Sequence, residues 1–193
     1  MSAPVRVLVH GASGRMGQTL LRLARERDDL QVVGAVSGSA PKQRVVEGVP
    51  HFGGRELAGA PAFDVAIDFS LPQGFDAILA LCERRGAALV SGTTGLSEAQ
   101  CSALDAAAAR IPVVWASNFS LGVAVLEDLV RRAAALLPGW DCDIVESHHT
   151  RKLDAPSGTA LTLGEAAAGQ GAQPRQQLGQ LIGLDHVVVG PAV

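Results

Sequence analysis

Fourteen residues hold most of the polar chemistry of this chain: Glu146-Ser147-His148-His149-Thr150-Arg151-Lys152-Leu153-Asp154-Ala155-Pro156-Ser157-Gly158-Thr159. Two adjacent histidines titrate near neutral pH, so one of them can give or take a proton. Arg151 and Lys152 supply positive charge for a carboxylate or a phosphate. Ser157 or Thr159 can cap the apolar helix expected from Ala160 to Ala168. A helix N-terminus adds free backbone N–H groups and a positive dipole end, which suit an anion. The other reading of this stretch is a capped surface loop with solvated histidines.

The elements that must position these residues follow from hydrophobic patterning. Asp143-Ile144-Val145-Glu146 belongs to a strand spanning Trp140 to His148, so the histidines sit at a strand tip. Near the N-terminus, Val5-Arg6-Val7-Leu8-Val9-His10 reads as a buried strand and runs into Gly11-Ala12-Ser13-Gly14-Arg15-Met16-Gly17. Gln18 to Arg27 then has helical spacing through Leu20, Leu21, Leu23 and Ala24. Strand, glycine-rich turn and helix form the phosphate-binding start of a dinucleotide fold, although a tight turn without a ligand fits the same residues. Gln31 to Val36 is a second strand. Its end, Ser37-Gly38-Ser39-Ala40, carries no acid to hold ribose hydroxyls. Lys42 and Arg44 follow, which lean toward a 2′-phosphate or are solvated loop cations. Residues 41–61 read as loop, with a helical hint at Arg55-Glu56-Leu57.

Three further strands are expected: Phe63 to Ser70, Ala87 to Ser91 and Ile111 to Trp115. Helices Pro72 to Arg85 and Ser97 to Arg110 lie between them. These strands end in small polar groups, Asp68-Phe69-Ser70, Gly92-Thr93-Thr94 and Ser117-Asn118. Ligands of open α/β sheets sit outside such carboxyl ends. A helix from Leu121 to Leu137 stops at Pro138-Gly139, which is the expected boundary between a nucleotide domain (1–137) and a second region (138–193). Within that region residues 169–180 read as loop and Leu181 to Val189 as a last strand. The fold class is therefore α/β, a Rossmann-like parallel sheet followed by an α+β mixed-sheet region.

Composition narrows the function. A net charge of −3 without a basic run argues against nucleic acid. No apolar run is long enough to span a membrane, and the N-terminus lacks a signal-peptide layout. Cys82, Cys101 and Cys142 are odd in number and lack metal-ligand spacing, so free thiols, a reducing cytoplasmic setting and no metal are expected.

Four blocks in order resemble the 4-hydroxy-tetrahydrodipicolinate reductase family of diaminopimelate and lysine biosynthesis. They are Gly11 to Gly17, Gly92-Thr93-Thr94-Gly95, Asn118-Phe119-Ser120 with Gly122, and Glu146-Ser147-His148-His149…Lys152…Asp154 to Ala160. The resemblance implies hydride transfer from NADH or NADPH to a small cyclic dicarboxylate, and a homotetramer. It implies His148 as proton donor and Lys152 as its catalytic partner. His149, Gly158 and Thr159 would hold substrate carboxylates. Gly11, Ala12, Ser13, Gly14, Arg15, Met16, Gly92, Thr93, Thr94, Ala116, Ser117, Asn118 and Phe119 would line the cofactor. Beyond Arg175 the resemblance stops, where relatives continue with more strands. The expectation is a cofactor half that folds and binds nucleotide weakly, with impaired tetramer assembly and activity. Competing readings are a Rossmann-type oxidoreductase with another substrate, and an inactive or weakly active nucleotide-binding fragment.

Overall fold

The computed structural model describes residues 3–148, 156–168, 178–180 and 186–189. Their contacts divide the chain into two units, Met1–Ala116 and Ser117–Val193.

The first unit contains β1 (Val5–His10), α1 (Arg15–Ala24), β2 (Leu30–Ser37), β3 (Val45–Val46), β4 (Val49–Gly53), a 3₁₀ turn (Gly54–Gly59), β5 (Val65–Asp68), α2 (Pro72–Arg85), β6 (Ala88–Ser91), α3 (Glu98–Ala108) and β7 (Val113–Trp115). The strands lie in the order β3-β4-β2-β1-β5-β6-β7. Every neighbouring pair is parallel except β3 with β4. Strand β1 is central and buried on both faces from Val7 to His10, which is why Val7-Leu8-Val9 is an unbroken apolar run. Val7 and Val9 pack with Leu21 of α1 and Ala35 of β2. Leu8 faces the opposite way, into a core with Phe75 and Ile78 of α2, Leu89 of β6 and Leu104 of α3. The chain moves outward from β1 to β2 and then returns to β5 on the other side. That reversal opens the crevice in which doubly wound sheets bind ligands.

Local signals explain the helices. Pro72 occupies the first turn of α2, where its missing N–H costs nothing, and Gly86 ends the helix at φ +62° in the left-handed region. Phe75, Ile78, Leu79 and Cys82 recur at helical spacing and are all buried. Ser97 caps α3, and Gln100 returns the hydrogen bond to complete a capping box. The expected loop at 41–61 instead holds the β3–β4 hairpin and the 3₁₀ turn. Pro50 disguises β4, since proline is tolerated in a strand only beside an edge.

The second unit contains α4 (Leu121–Leu136), β8 (Ile144–Ser147), α5 (Gly158–Ala168), β9 (Leu178–Gln180) and β10 (His186–Val189). Its strands form an antiparallel sheet in the order β8-β10-β9. Helix α4 packs on α5, so it belongs here. The division accordingly falls at Ala116/Ser117 and not at Pro138-Gly139. Leu178–Gln180 is a strand where the sequence reads as loop, because its pairing with β10 is non-local.

Candidate active site

In the first unit the glycine-rich turn joins β1 to α1. Gly11 has φ +79°, and a side chain there would overlap the backbone of Phe69 and Ser70. Gly17 lets α1 press on the turn, since a Cβ at that position would overlap Gly11 and Ala12. Gly14 is the N-cap of α1 and, as glycine, brings no side chain to cap it. Ala12 is fully buried, and Met16 is exposed.

A cavity of about 700 Å³ opens beside this turn. Its lining includes Gly11, Ser13 and Gly14 from the turn, Ser39 after β2, Arg55 from the 3₁₀ segment, and Ser70 after β5. No carboxylate is among the described residues that line it. A glycine cradle at a helix N-terminus, a void of this size and the absence of acid fit a dinucleotide. Arg55 was not singled out from sequence. The expectation fell on Lys42 and Arg44 together, and the Arg44 guanidinium is held 2.7 Å from Glu56. Lys42 is exposed.

The floor beneath the crevice is a buried polar network. The carboxylate of Asp68, fully buried at the tip of β5, receives hydrogen bonds from Ser91 Oγ (2.8 Å), Thr93 Oγ1 (2.7 Å) and the Ser70 amide (3.1 Å). It also lies 2.8 Å from His10 Nδ1. Burial alone would raise the Asp68 pKa, but the hydrogen bonds and charge of His10, with those of Ser70 and Thr93, hold it below the ordinary carboxylate value. Thr93 and Ser91 thereby anchor the Gly92-Thr93-Thr94 block, and Trp115 Nε1 donates to the Thr93 carbonyl at 3.0 Å. Gly92 abuts the ring of Phe69, which a Cβ would overlap. Ala116 follows β7 and its amide donates to the Ser91 carbonyl.

In the second unit Ser117 and Asn118 meet the first turns of α5. The Ser117 hydroxyl lies 3.1 Å from Thr162 Oγ1, and Asn118 Nδ2 donates to Thr159 Oγ1 at 3.1 Å. Asn118 Oδ1 accepts from the Ser120 amide at 2.8 Å, which fixes the entry to α4. Phe119 is exposed. The block expected to line the cofactor is therefore tied to a residue expected to hold substrate.

At the start of α5 the cap is Ser157, whose Oγ accepts from the Ala160 amide at 3.1 Å, and Gly158 and Thr159 form the first turn. The Ser157 amide donates to Glu146 Oε1 at 2.7 Å, and its hydroxyl donates to Glu146 Oε2. His148 Nδ1 stands 3.6 Å from the same Oε2, with the imidazole a little over one third exposed. Glu146 thus links the proposed proton donor to the helix cap, a role that sequence spacing did not reveal. His149 and Lys152 lie outside the described residues. Among the described residues no cluster of His, Cys, Asp or Glu could hold a metal, and no helix is long and apolar enough to cross a membrane.

The comparisons with known proteins agree on one family. The dihydrodipicolinate reductase N-terminal description matches residues 5–119 and its C-terminal counterpart matches 122–193. The match therefore runs past Arg175 to the last residue. The 4-hydroxy-tetrahydrodipicolinate reductase of Xanthomonas campestris pv. campestris strain B100 is 73% identical over 90% of this chain and 73% of its own length. That of Stenotrophomonas maltophilia strain R551-3 is 68% identical over 96% of this chain and 79% of its own. A dipicolinate-bound dihydrodipicolinate reductase from Paenisporosarcina sp. TG-14 superposes with a TM-score of 0.67 at 26% identity, covering 93% of this chain and 73% of that one. With both halves matched and relatives this similar, the chain belongs to the dihydrodipicolinate reductase family of nucleotide-dependent oxidoreductases.

Proposed function

We propose that the family reaction, reduction of 4-hydroxy-tetrahydrodipicolinate in lysine biosynthesis, is carried in this chain by His148, Lys152 and the first turn of α5. When bound, a reduced nicotinamide supplies the hydride. His148 donates the proton that the reduced ring requires. Lys152 neutralises charge on the substrate and positions it. His149, Gly158 and Thr159 hold its carboxylates, using the positive end of α5. The observation that carries this reading is the linkage of His148, Glu146 and Ser157. The Glu146 carboxylate stands 3.6 Å from the imidazole, and the same carboxylate steadies the helix end that would receive the substrate.

The residues assigned to cofactor binding are Gly11, Ala12, Ser13, Gly14, Arg15, Met16, Gly92, Thr93, Thr94 and Ala116 in the first unit, and Ser117, Asn118 and Phe119 in the second. NADPH is preferred and NADH accepted, because Arg55 and Ser39 line the cavity after β2 and no acid does so among the described residues. Comparing the Kd of NADPH and NADH tests this, with Arg55→Ala expected to weaken only NADPH. Equal loss for both cofactors would remove Arg55 from 2′-phosphate recognition.

For the chemistry, the test is His148→Gln assayed with freshly generated substrate. Turnover should fall about a hundredfold or more with little change in KM or NADPH affinity, since a general acid acts mainly in the transition state. Undiminished turnover at neutral pH would remove His148 from the role.

A further inference from the structure

The network beneath the crevice contains two titratable side chains, His10 and Asp68, that the proposed chemistry does not use. His10 ends β1 directly before Gly11, and Asp68 ends β5. The parallel register sets them opposite each other. The imidazole is almost wholly buried, yet His10 contributes to the wall of the cavity beside Gly11, Ser13 and Gly14. Its Cε1 and Nε2 edge lies toward Gly74 in the first turn of α2, where a Cβ would come within 3.1 Å of Cε1 and 3.6 Å of Nε2. Gly74 therefore leaves room for the ring.

The hydrogen bonds fix the proton on the inner nitrogen. Asp68 accepts from Ser70, Ser91 and Thr93, and an ionised carboxylate has nothing to donate, so the proton of the His10–Asp68 bond belongs to Nδ1. The remaining nitrogen, Nε2, is the one free to serve the cavity. An imidazole held this way can accept when neutral or donate when charged.

We propose that His10 is a ligand for the pyrophosphate of the bound dinucleotide, donating from Nε2 in its charged form, with Asp68 as the residue that orients it and balances its charge. The proposal rests on the nucleotide reading of the cavity. A phosphate oxygen requires a donor, and with Nδ1 committed to Asp68 a donor at Nε2 requires the charged ring, so binding draws a proton from solvent at any pH where the free ring is neutral. The other charged or titratable groups near the ring do not substitute for it. Arg55 lines the cavity but stays cationic throughout the accessible pH range. Cys82 of α2 lies near Asp68, and burial first, then the Asp68 charge, push its thiol up to about 12, so it stays neutral. Asp68 itself remains ionised.

The experiment is calorimetric titration of the full chain at a series of pH values from neutral to alkaline, with NADPH, ADP, inorganic pyrophosphate and 2′-AMP in buffers of different ionisation enthalpy. Uptake of up to one proton is expected with NADPH, ADP and pyrophosphate, and none with 2′-AMP. His10→Gln should abolish the uptake and weaken NADPH binding about tenfold, the scale of one hydrogen bond to a charged group. Asp68→Asn should reduce the uptake while retaining the imidazole. Binding of NADPH by the wild type without proton uptake overturns the role of His10 and leaves the cavity reading intact. Uptake with 2′-AMP but not pyrophosphate overturns the assignment of the phosphate. No NADPH binding by the wild type overturns the cavity reading and this proposal with it. If neither variant folds, the wild-type proton counts across the four probes decide.

Discussion

Phe75, Ile78 and Leu89 of the first unit are completely buried, whereas α4 of the second unit, although rich in leucine, valine and alanine, buries none of its 16 residues. Leu121 and Leu136 are about four-fifths exposed, and Val125 and Leu129 more than half. The difference lies in layering. A parallel sheet with helices on both faces covers itself, and each apolar strand of the first unit finds a partner on either side. Two helices and a short antiparallel sheet supply fewer layers, so α4 meets α5 along one side and leaves the rest of its apolar surface uncovered among the described residues. The glycine-rich turn and the Gly92-Thr93-Thr94 block thus stand on a closed core. The expected substrate residues stand on hydrogen bonds at helix ends.

That contrast can be broken by substitution. Phe75→Ala should have the largest effect, costing about 3–5 kcal/mol because a fully buried ring is replaced by a cavity, and thermal or urea unfolding should show the first unit failing. Ser157→Ala should cost about 1 kcal/mol, the usual value of a helix cap, and remove a donor from Glu146. Hydrogen exchange should show the loss confined to α5 and the end of β8. Leu129→Ala should change stability by no more than about 0.5 kcal/mol, as for exposed positions generally. A cost at Leu129 approaching that at Phe75 would mean that α4 is covered in solution and that the contrast does not hold there.

Much of the first unit could be read from sequence because its signals are local. Pro72 and Gly86 bracket α2, Ser97 and Gln100 announce α3, and the turn from Gly11 to Gly17 declares its own geometry. The pairing of His10 with Asp68 was hidden because 58 residues separate them and only sheet register brings them together. The available hint was that each is the last residue of its strand, on strands that a switch point makes neighbours. Arg55 was overlooked for a similar reason: the loop reading of 41–61 gave no means of telling it from Arg44, which Glu56 engages. In the second unit the sequence left the cap open between Ser157 and Thr159 with a helix from Ala160, and the structure starts α5 at Gly158 with Ser157 as the cap. The service of Glu146 to both His148 and Ser157 was not legible, since it depends on how β8 meets α5 in space. Leu178–Gln180 lacks alternation and is a strand only by virtue of its neighbour.

Phe69 stands against both glycine loops proposed to hold the nucleotide. Its backbone occupies the space a side chain at Gly11 would need, and its ring does the same at Gly92. The two glycine loops are therefore not separate modules that drift could retune one at a time. A bulkier residue in either must displace the same phenylalanine, and that displacement alters the room left at the other. In evolutionary terms the cradle has one degree of freedom where the sequence suggests two. Adapting it to a differently shaped nucleotide would require coordinated change at Gly11, Phe69 and Gly92, through intermediates that fit neither ligand well.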